Sequence, residues 1–130
     1  MSELTCADRI DEELKRVQED IELYFEDPGV YENGNEDLPS FHEYGLCFDY
    51  VEPETFVDQE CGYYRYQLSW GGPSDEIRFF PDGRIEYWFM DWFDGAKRNI
   101  TKESWARQLR REFEEVGCID WSKVQLYAYC

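Results

Sequence analysis

The sequence predicts an α+β domain, in which an antiparallel meander of three to four strands is packed by one helix before it and one after it. Three observations lead there. Apolar residues from Ile10 to Phe25 recur at helical spacing, residues between Gly62 and Met90 alternate in short runs divided by turn residues, and helical spacing returns between Trp105 and Val116. At 130 residues the chain has the length of one domain, enough to bury roughly two-thirds of its unfolded surface. A single domain over 1–130 is expected, made of an acidic helix (1–27), an acidic irregular segment (28–60), the meander (61–100), a second helix (101–117) and a C-terminal segment (118–130).

In the first helix, Ile10, Leu14, Val17, Ile21 and Tyr24 or Phe25 fall on one stripe. Ser2 or Thr5 is placed to cap its start, and "EDPG" at Glu26 to Gly29 to end it. The stretch 28–60 has no clean period; Gly29, Asn33, Gly34, Asn35 and Pro39 mark turns, and a short element around Phe41 to Tyr50 has no type that the pattern decides.

The first strand spans Gly62 to Trp70, with Tyr64, Tyr66, Leu68 and Trp70 on one face and Tyr63, Arg65, Gln67 and Ser69 on the other. After the Gly71, Gly72, Pro73 turn, Ile77 and Phe79 alternate with Glu76, Arg78 and Phe80. Pro81, Asp82 and Gly83 then supply a tight hairpin turn. The returning strand places Ile85, Tyr87 and Phe89 on one face and Glu86, Trp88 and Met90 on the other, and "FDGA" at Phe93 to Ala96 turns the chain toward a fourth strand, "KRNIT". The second helix is expected to start at the cap Thr101 and stop at Gly117, with Trp105, Leu109, Phe113 and Val116 as its stripe. The expected core is Tyr64, Tyr66, Leu68, Trp70, Ile77, Phe79, Ile85, Tyr87 and Phe89. Tyr63, Phe80, Trp88 and Met90 are left on the other sheet face, to be covered by the chain itself or by a protein partner.

Charge is the most informative property. The net charge is −17, and residues 1–60 hold 19 acids against 3 bases, whereas residues 61–130 hold 11 against 10. A field of that sign repels nucleic acid and anionic membrane and attracts basic proteins. Base stacking on the outer aromatic face is disfavoured for the same reason. No apolar run approaches the ~20 residues of a membrane span, and the N-terminal stretch lacks the basic and apolar regions of a signal peptide. A cytosolic protein is therefore expected.

Chemistry is hard to place. The five cysteines, Cys6, Cys47, Cys61, Cys118 and Cys130, are widely spaced without a C-x-x-C pair, so free thiols are expected rather than a disulfide framework or a zinc site. The one histidine, His42, lies five residues before Cys47 with no third group to orient it. Asp91 and Asp94 bracket Trp92 and Phe93 and are read as turn residues at a strand end. With no phosphate-binding or metalloprotease spacing in the chain, the expectation is a non-enzyme with no cofactor and no metal.

The block "YQLSWGGPSDEIRFF" followed by "EYWFMDWFDGA", from Tyr66 to Ala96, resembles a family of small proteins of plasmids and phages that share an LS(Y/W)GGP(S/A)D turn and a DWFDGA end. The resemblance implies a mobile-element setting and a likeness to anti-defence inhibitors, among them anti-CRISPR and anti-restriction proteins, many of which imitate the phosphate array of nucleic acid. The charge leads independently to the same expectation. A dense carboxylate face can occupy the basic channel of a CRISPR effector or nuclease in place of nucleic acid. The candidate partner-binding residues are Asp8, Asp11, Glu12, Glu19, Glu22 and Glu26 on the first helix, Glu32, Glu36 and Asp37 after it, and an aromatic anchor, Trp88 or Trp92. The alternatives are an immunity protein or antitoxin that neutralises a basic nuclease toxin, and an interaction domain whose acidity serves solubility.

Overall fold

The computed structural model describes residues 5–26, 47–52, 55, 62–69, 73–91 and 94–123. Helix α1 (Cys6–Glu26) is followed by strands β1 (Cys47–Val51), β2 (Tyr63–Ser69), β3 (Pro73–Phe79), β4 (Ile85–Asp91) and β5 (Asp94–Asn99), then by helix α2 (Ser104–Glu115) and a short 3-10 turn, Trp121–Lys123. The strands form one antiparallel sheet in the order β1-β2-β3-β4-β5, so each pairs with its neighbour in sequence. This is the expected α+β meander with five strands instead of three or four. The additional strand, β1, lies inside the stretch whose type the pattern left open. It sets Phe48 and Tyr50 against the core and pairs with β2 from Cys47↔Gln67 to Val51↔Tyr63.

Both helices lie on one face of the sheet. The core joins Cys6, Ile10, Val17 and Ile21 of α1 and Trp105, Ala106, Leu109 and Phe113 of α2 to Tyr64, Tyr66, Ile77, Phe79, Ile85, Tyr87 and Phe89 of the sheet. Phe113 is its aromatic hub, 4.5 Å from the Phe48 ring and 4.9 Å from the Tyr66 ring between centroids. Offset and edge-on pairs at such distances contribute about 0.5–1.5 kcal/mol each beyond the area they bury. Leu68 packs at the edge of this core rather than within it, and Trp70 lies outside the described residues.

Four local expectations are corrected. Thr101 does not cap α2; its hydroxyl accepts the Ile85 N–H at 2.9 Å and so ties the end of β5 to β4, while Glu103 is the N-cap residue and makes no side-chain cap. Val116 is 49% exposed, because α2 ends at Glu115 and Gly117 turns the chain at φ +85°. Ile119 comes back to fill the place, donating its N–H to the Phe113 carbonyl at 3.1 Å. In β2 a register shift between Gln67 and Ser69 sets Ser69 opposite Asp75 instead of continuing the simple alternation. The β3–β4 hairpin keeps its expected turn, closed by Gly83 at φ +98°, whereas Asp94, Gly95 and Ala96 of the expected "FDGA" turn are already paired in β5.

Candidate protein interface

The solvent side of α1 is built by periodicity alone. With Ile10, Val17 and Ile21 facing the sheet, 100° per residue carries Asp8, Asp11, Glu12, Glu19, Glu22 and Glu26 onto the opposite side, within an arc of about 100°. All are exposed except Glu22, which is half-buried and accepts a hydrogen bond from the Gln18 amide at 2.9 Å. From Asp8 to Glu26 the face is about 27 Å long. Lys15 lies exposed within the same arc.

The six carboxylates are not equivalent. Asp8 belongs to a capping box: its Oδ2 accepts the Thr5 N–H at 3.0 Å and its own N–H is donated to Thr5 Oγ1 at 3.2 Å. Those bonds hold its carboxyl below the usual carboxylate range. Asp11 pairs with Arg98 of β5, Nε to Oδ1, at 2.9 Å. Glu12, Glu19 and Glu26 have no ion-pair partner among the described residues, because Arg9 is committed to Asp91 and Arg16 to Glu13, at 2.9 and 2.7 Å. The helix therefore presents, around Lys15, a row of carboxylates without ion-pair partners among the described residues. Glu32, Glu36 and Asp37, expected beside this face, lie outside the described residues, as do Trp92 and His42.

Trp88, the other expected anchor, stands on the outer face of the sheet in a different setting. The Arg78 guanidinium carbon lies 3.8 Å from its ring centroid and 4.6 Å from that of Tyr63, and Lys97 Nζ lies 5.2 Å from the Trp88 ring. The indole Nε1–H is donated to Glu86 at 3.0 Å. Arg78 also donates to Glu76 at 2.7 Å. Glu76 and Glu86 are both buried, as are Val51, Tyr63 and Phe80 of the small second cluster, and burial pushes the Tyr63 phenol above its ordinary value. Arg65 forks onto Asp49 at 3.0 and 2.6 Å. Charges on this face meet partners of the same chain, and much of the face is withdrawn from water.

Two features escaped sequence reasoning. Asp75, buried on the helix-covered face, accepts the Tyr87 hydroxyl at 2.7 Å and also bonds the Ser69 hydroxyl. Burial, with the Asp75 charge second, pushes the Tyr87 phenol far above its ordinary value. The β2 register shift that brings Ser69 to Asp75 has no signal in the residue alternation. Asp91 and Asp94, read as turn residues, also reach α1: Asp91 pairs with Arg9, and Asp94 Oδ2 accepts the Cys6 N–H at 2.7 Å.

No family model, curated protein or solved structure matches this chain. Its own geometry therefore carries the functional reading. Among the described residues no three His, Cys, Asp or Glu side chains are grouped to hold a metal ion, and no helix is long and apolar enough to cross a membrane. Cys6 and Cys118 are free thiols, the first buried, and burial raises its pKa.

Proposed function

We propose that this chain is an acidic, non-enzymatic inhibitor of a basic nucleic-acid-binding protein, acting in the cytosol by occupying the target's nucleic-acid channel in place of the nucleic acid. An anti-CRISPR or anti-restriction role is the form of this reading that the sequence resemblance favours. The observation that carries it is the single face of α1, where Glu12, Glu19 and Glu26 stand exposed without ion-pair partners among the described residues. Its six carboxylates, of which Asp11 is paired to Arg98, extend over about 27 Å as a row of negative charge that a phosphate-binding channel can receive. A solubilising surface needs only net charge. Grouping it on one helix face leaves like charges repelling at i,i+4 spacing, a cost that a basic partner relieves.

The test is a pull-down with the tagged protein from host cells carrying CRISPR or restriction systems. Washes run from ~0.1 M to ~1 M salt, over which the screening length shrinks from about 10 to about 3 Å. A basic nucleic-acid-binding protein held at low salt and released at high salt supports the reading. Retention of the same partners at the same salt by a Glu12→Gln, Glu19→Gln, Glu26→Gln variant overturns it. An immunity protein for a nuclease toxin would use the same face; recovery of a toxin nuclease, in place of a defence protein, would assign it that role.

A further inference from the structure

The corner between β4 and β5 belongs to the "DWFDGA" stretch, which the proposed function leaves unused, and it makes more contacts to α1 than a turn requires. Asp94 Oδ2 accepts the Cys6 N–H at 2.7 Å, while its Oδ1 accepts the neighbouring Gly95 N–H at 3.0 Å. Asp91 pairs with Arg9 at 2.9 Å, and the Arg9 guanidinium carbon lies 4.9 Å from the Phe89 ring centroid of β4. Arg98 of β5 holds Asp11 through both of its carboxylate oxygens, at 2.9 and 3.4 Å. These contacts grip Cys6, Arg9 and Asp11, all within the first two turns of the helix.

Starting the helix does not require them. The Thr5–Asp8 capping box satisfies the Thr5 and Asp8 N–H groups, and Asp94 satisfies the buried Cys6 N–H that the box leaves open. A second cap reaching across 88 residues of sequence adds a fixed direction rather than a nucleus. The buried stripe of Cys6, Ile10, Val17 and Ile21 sets which side of α1 meets the sheet; the ion pairs to β4 and β5 pin the N-terminal end of the helix within that setting, and with it the direction of the solvent-side carboxylates.

We infer that the β4–β5 corner is a mount that fixes the direction in which α1 presents its carboxylates, with Asp91, Asp94 and Arg98 as positioning residues. Its functional meaning rests on the acidic-face reading. An array of charges matched to a rigid channel loses little freedom on binding only if it is held in place beforehand. Arg98 also sets the usable length of the array, since it neutralises Asp11 at one end and leaves Glu12, Glu19 and Glu26 to the partner.

The experiment uses the full-length protein without a partner, so its result is separable from that of the pull-down. Backbone dipolar couplings report the angle of α1 to the sheet, and amide exchange reports the Cys6 N–H. Asp94→Ala is expected to leave the helix content unchanged, speed Cys6 exchange about tenfold and move the α1 couplings out of the native sheet frame. Asp94→Asn, whose side-chain oxygen accepts the same N–H without the charge, should restore both. Arg98→Gln, at an exposed contact, is expected to alter the α1 couplings without altering Cys6 exchange, and it decides the matter if Asp94→Ala fails to fold. Native α1 couplings in both Asp94→Ala and Arg98→Gln would overturn the mount.

Discussion

The acids of the sheet and the acids of α1 obey opposite rules. In the sheet, Glu76, Glu86 and Asp75 are buried, and each is met by a guanidinium, an indole N–H or a hydroxyl. On the solvent side of α1, Glu12, Glu19 and Glu26 are exposed and have no ion-pair partner among the described residues. A buried carboxylate without a partner is too costly to keep, so the first set had to be paired for the chain to fold. An exposed carboxylate costs little alone. The second set is therefore free of pairing constraints; helical periodicity puts it on one face, and its charges stay open to a partner. The contrast teaches that net charge divides into a part that the fold uses and a part that remains available to a partner.

If that division is real, the largest effects on stability should come from the sheet. Arg78→Ala leaves Glu76, whose side chain is 4% exposed, buried without its cation, and strips one face of both Tyr63 and Trp88. The expected loss is about 3 kcal/mol, read from urea unfolding. Adding Glu76→Gln should recover a large part of it, because the cost lies in the orphaned charge. A loss below about 1 kcal/mol would place this pair with ordinary surface ion pairs and blur the contrast.

Tyr87→Phe tests the helix-covered side. It removes a donor from buried Asp75 and keeps the ring, so about 2 kcal/mol is expected, with little change in the urea dependence. Ser69→Ala should cost less, since Ser69 is only half-buried and water can replace its hydroxyl.

The meander was legible because Tyr64 and Tyr66, Ile77 and Phe79, and Ile85, Tyr87 and Phe89 recur at every second position and all reach the core, and because Gly83 has the turn chemistry that its positive φ requires. What stayed hidden depends on contacts distant in sequence. β1 is five residues long, too short for alternation to distinguish it from a turn-rich acidic surrounding; its pairing with β2 decides it. The Ser69–Asp75 contact needs the register shift, and an acid in a strand gives no sign of whether it will be buried. Asp91 and Asp94 have turn chemistry in sequence, and only the packing of α1 against β4 and β5 reveals their second role. The acidic face was legible for the opposite reason, since helical periodicity alone assigns its residues and none of them needs a distant partner to be exposed.

Acid should act on the capping carboxylates before it reaches any partner. Asp8, held below the ordinary carboxylate value of 3.8 by the Thr5 N–H and hydroxyl, and Asp94, held below it mainly by the Cys6 N–H, both have folded pKa values lower than their unfolded ones. Such groups contribute stability that is present above the unfolded value and disappears as pH falls through the folded value. Urea midpoints should therefore drop as the pH is taken below about 4, and part of that drop should vanish in an Asp8→Ala, Asp94→Ala double variant. An identical acid dependence in the double variant would mean that the caps do not distinguish folded from unfolded chain.

The smallest expected effect on folding is the one that decides the comparison. Replacing Glu12, Glu19 and Glu26 by Gln keeps side-chain size, leaves the mount at Asp91, Asp94 and Arg98 untouched and relieves like-charge repulsion on α1. Stability should change by no more than about 0.5 kcal/mol, and upward if at all. Binding to the proposed basic partner should weaken about tenfold at ~0.1 M salt, at about 0.5 kcal/mol for each exposed ion pair lost, and its salt dependence should flatten. If stability fell with binding, these acids would be structural like those of the sheet, and the two regions would follow one rule. A loss of binding without a loss of stability is the signature of charge that the fold does not need.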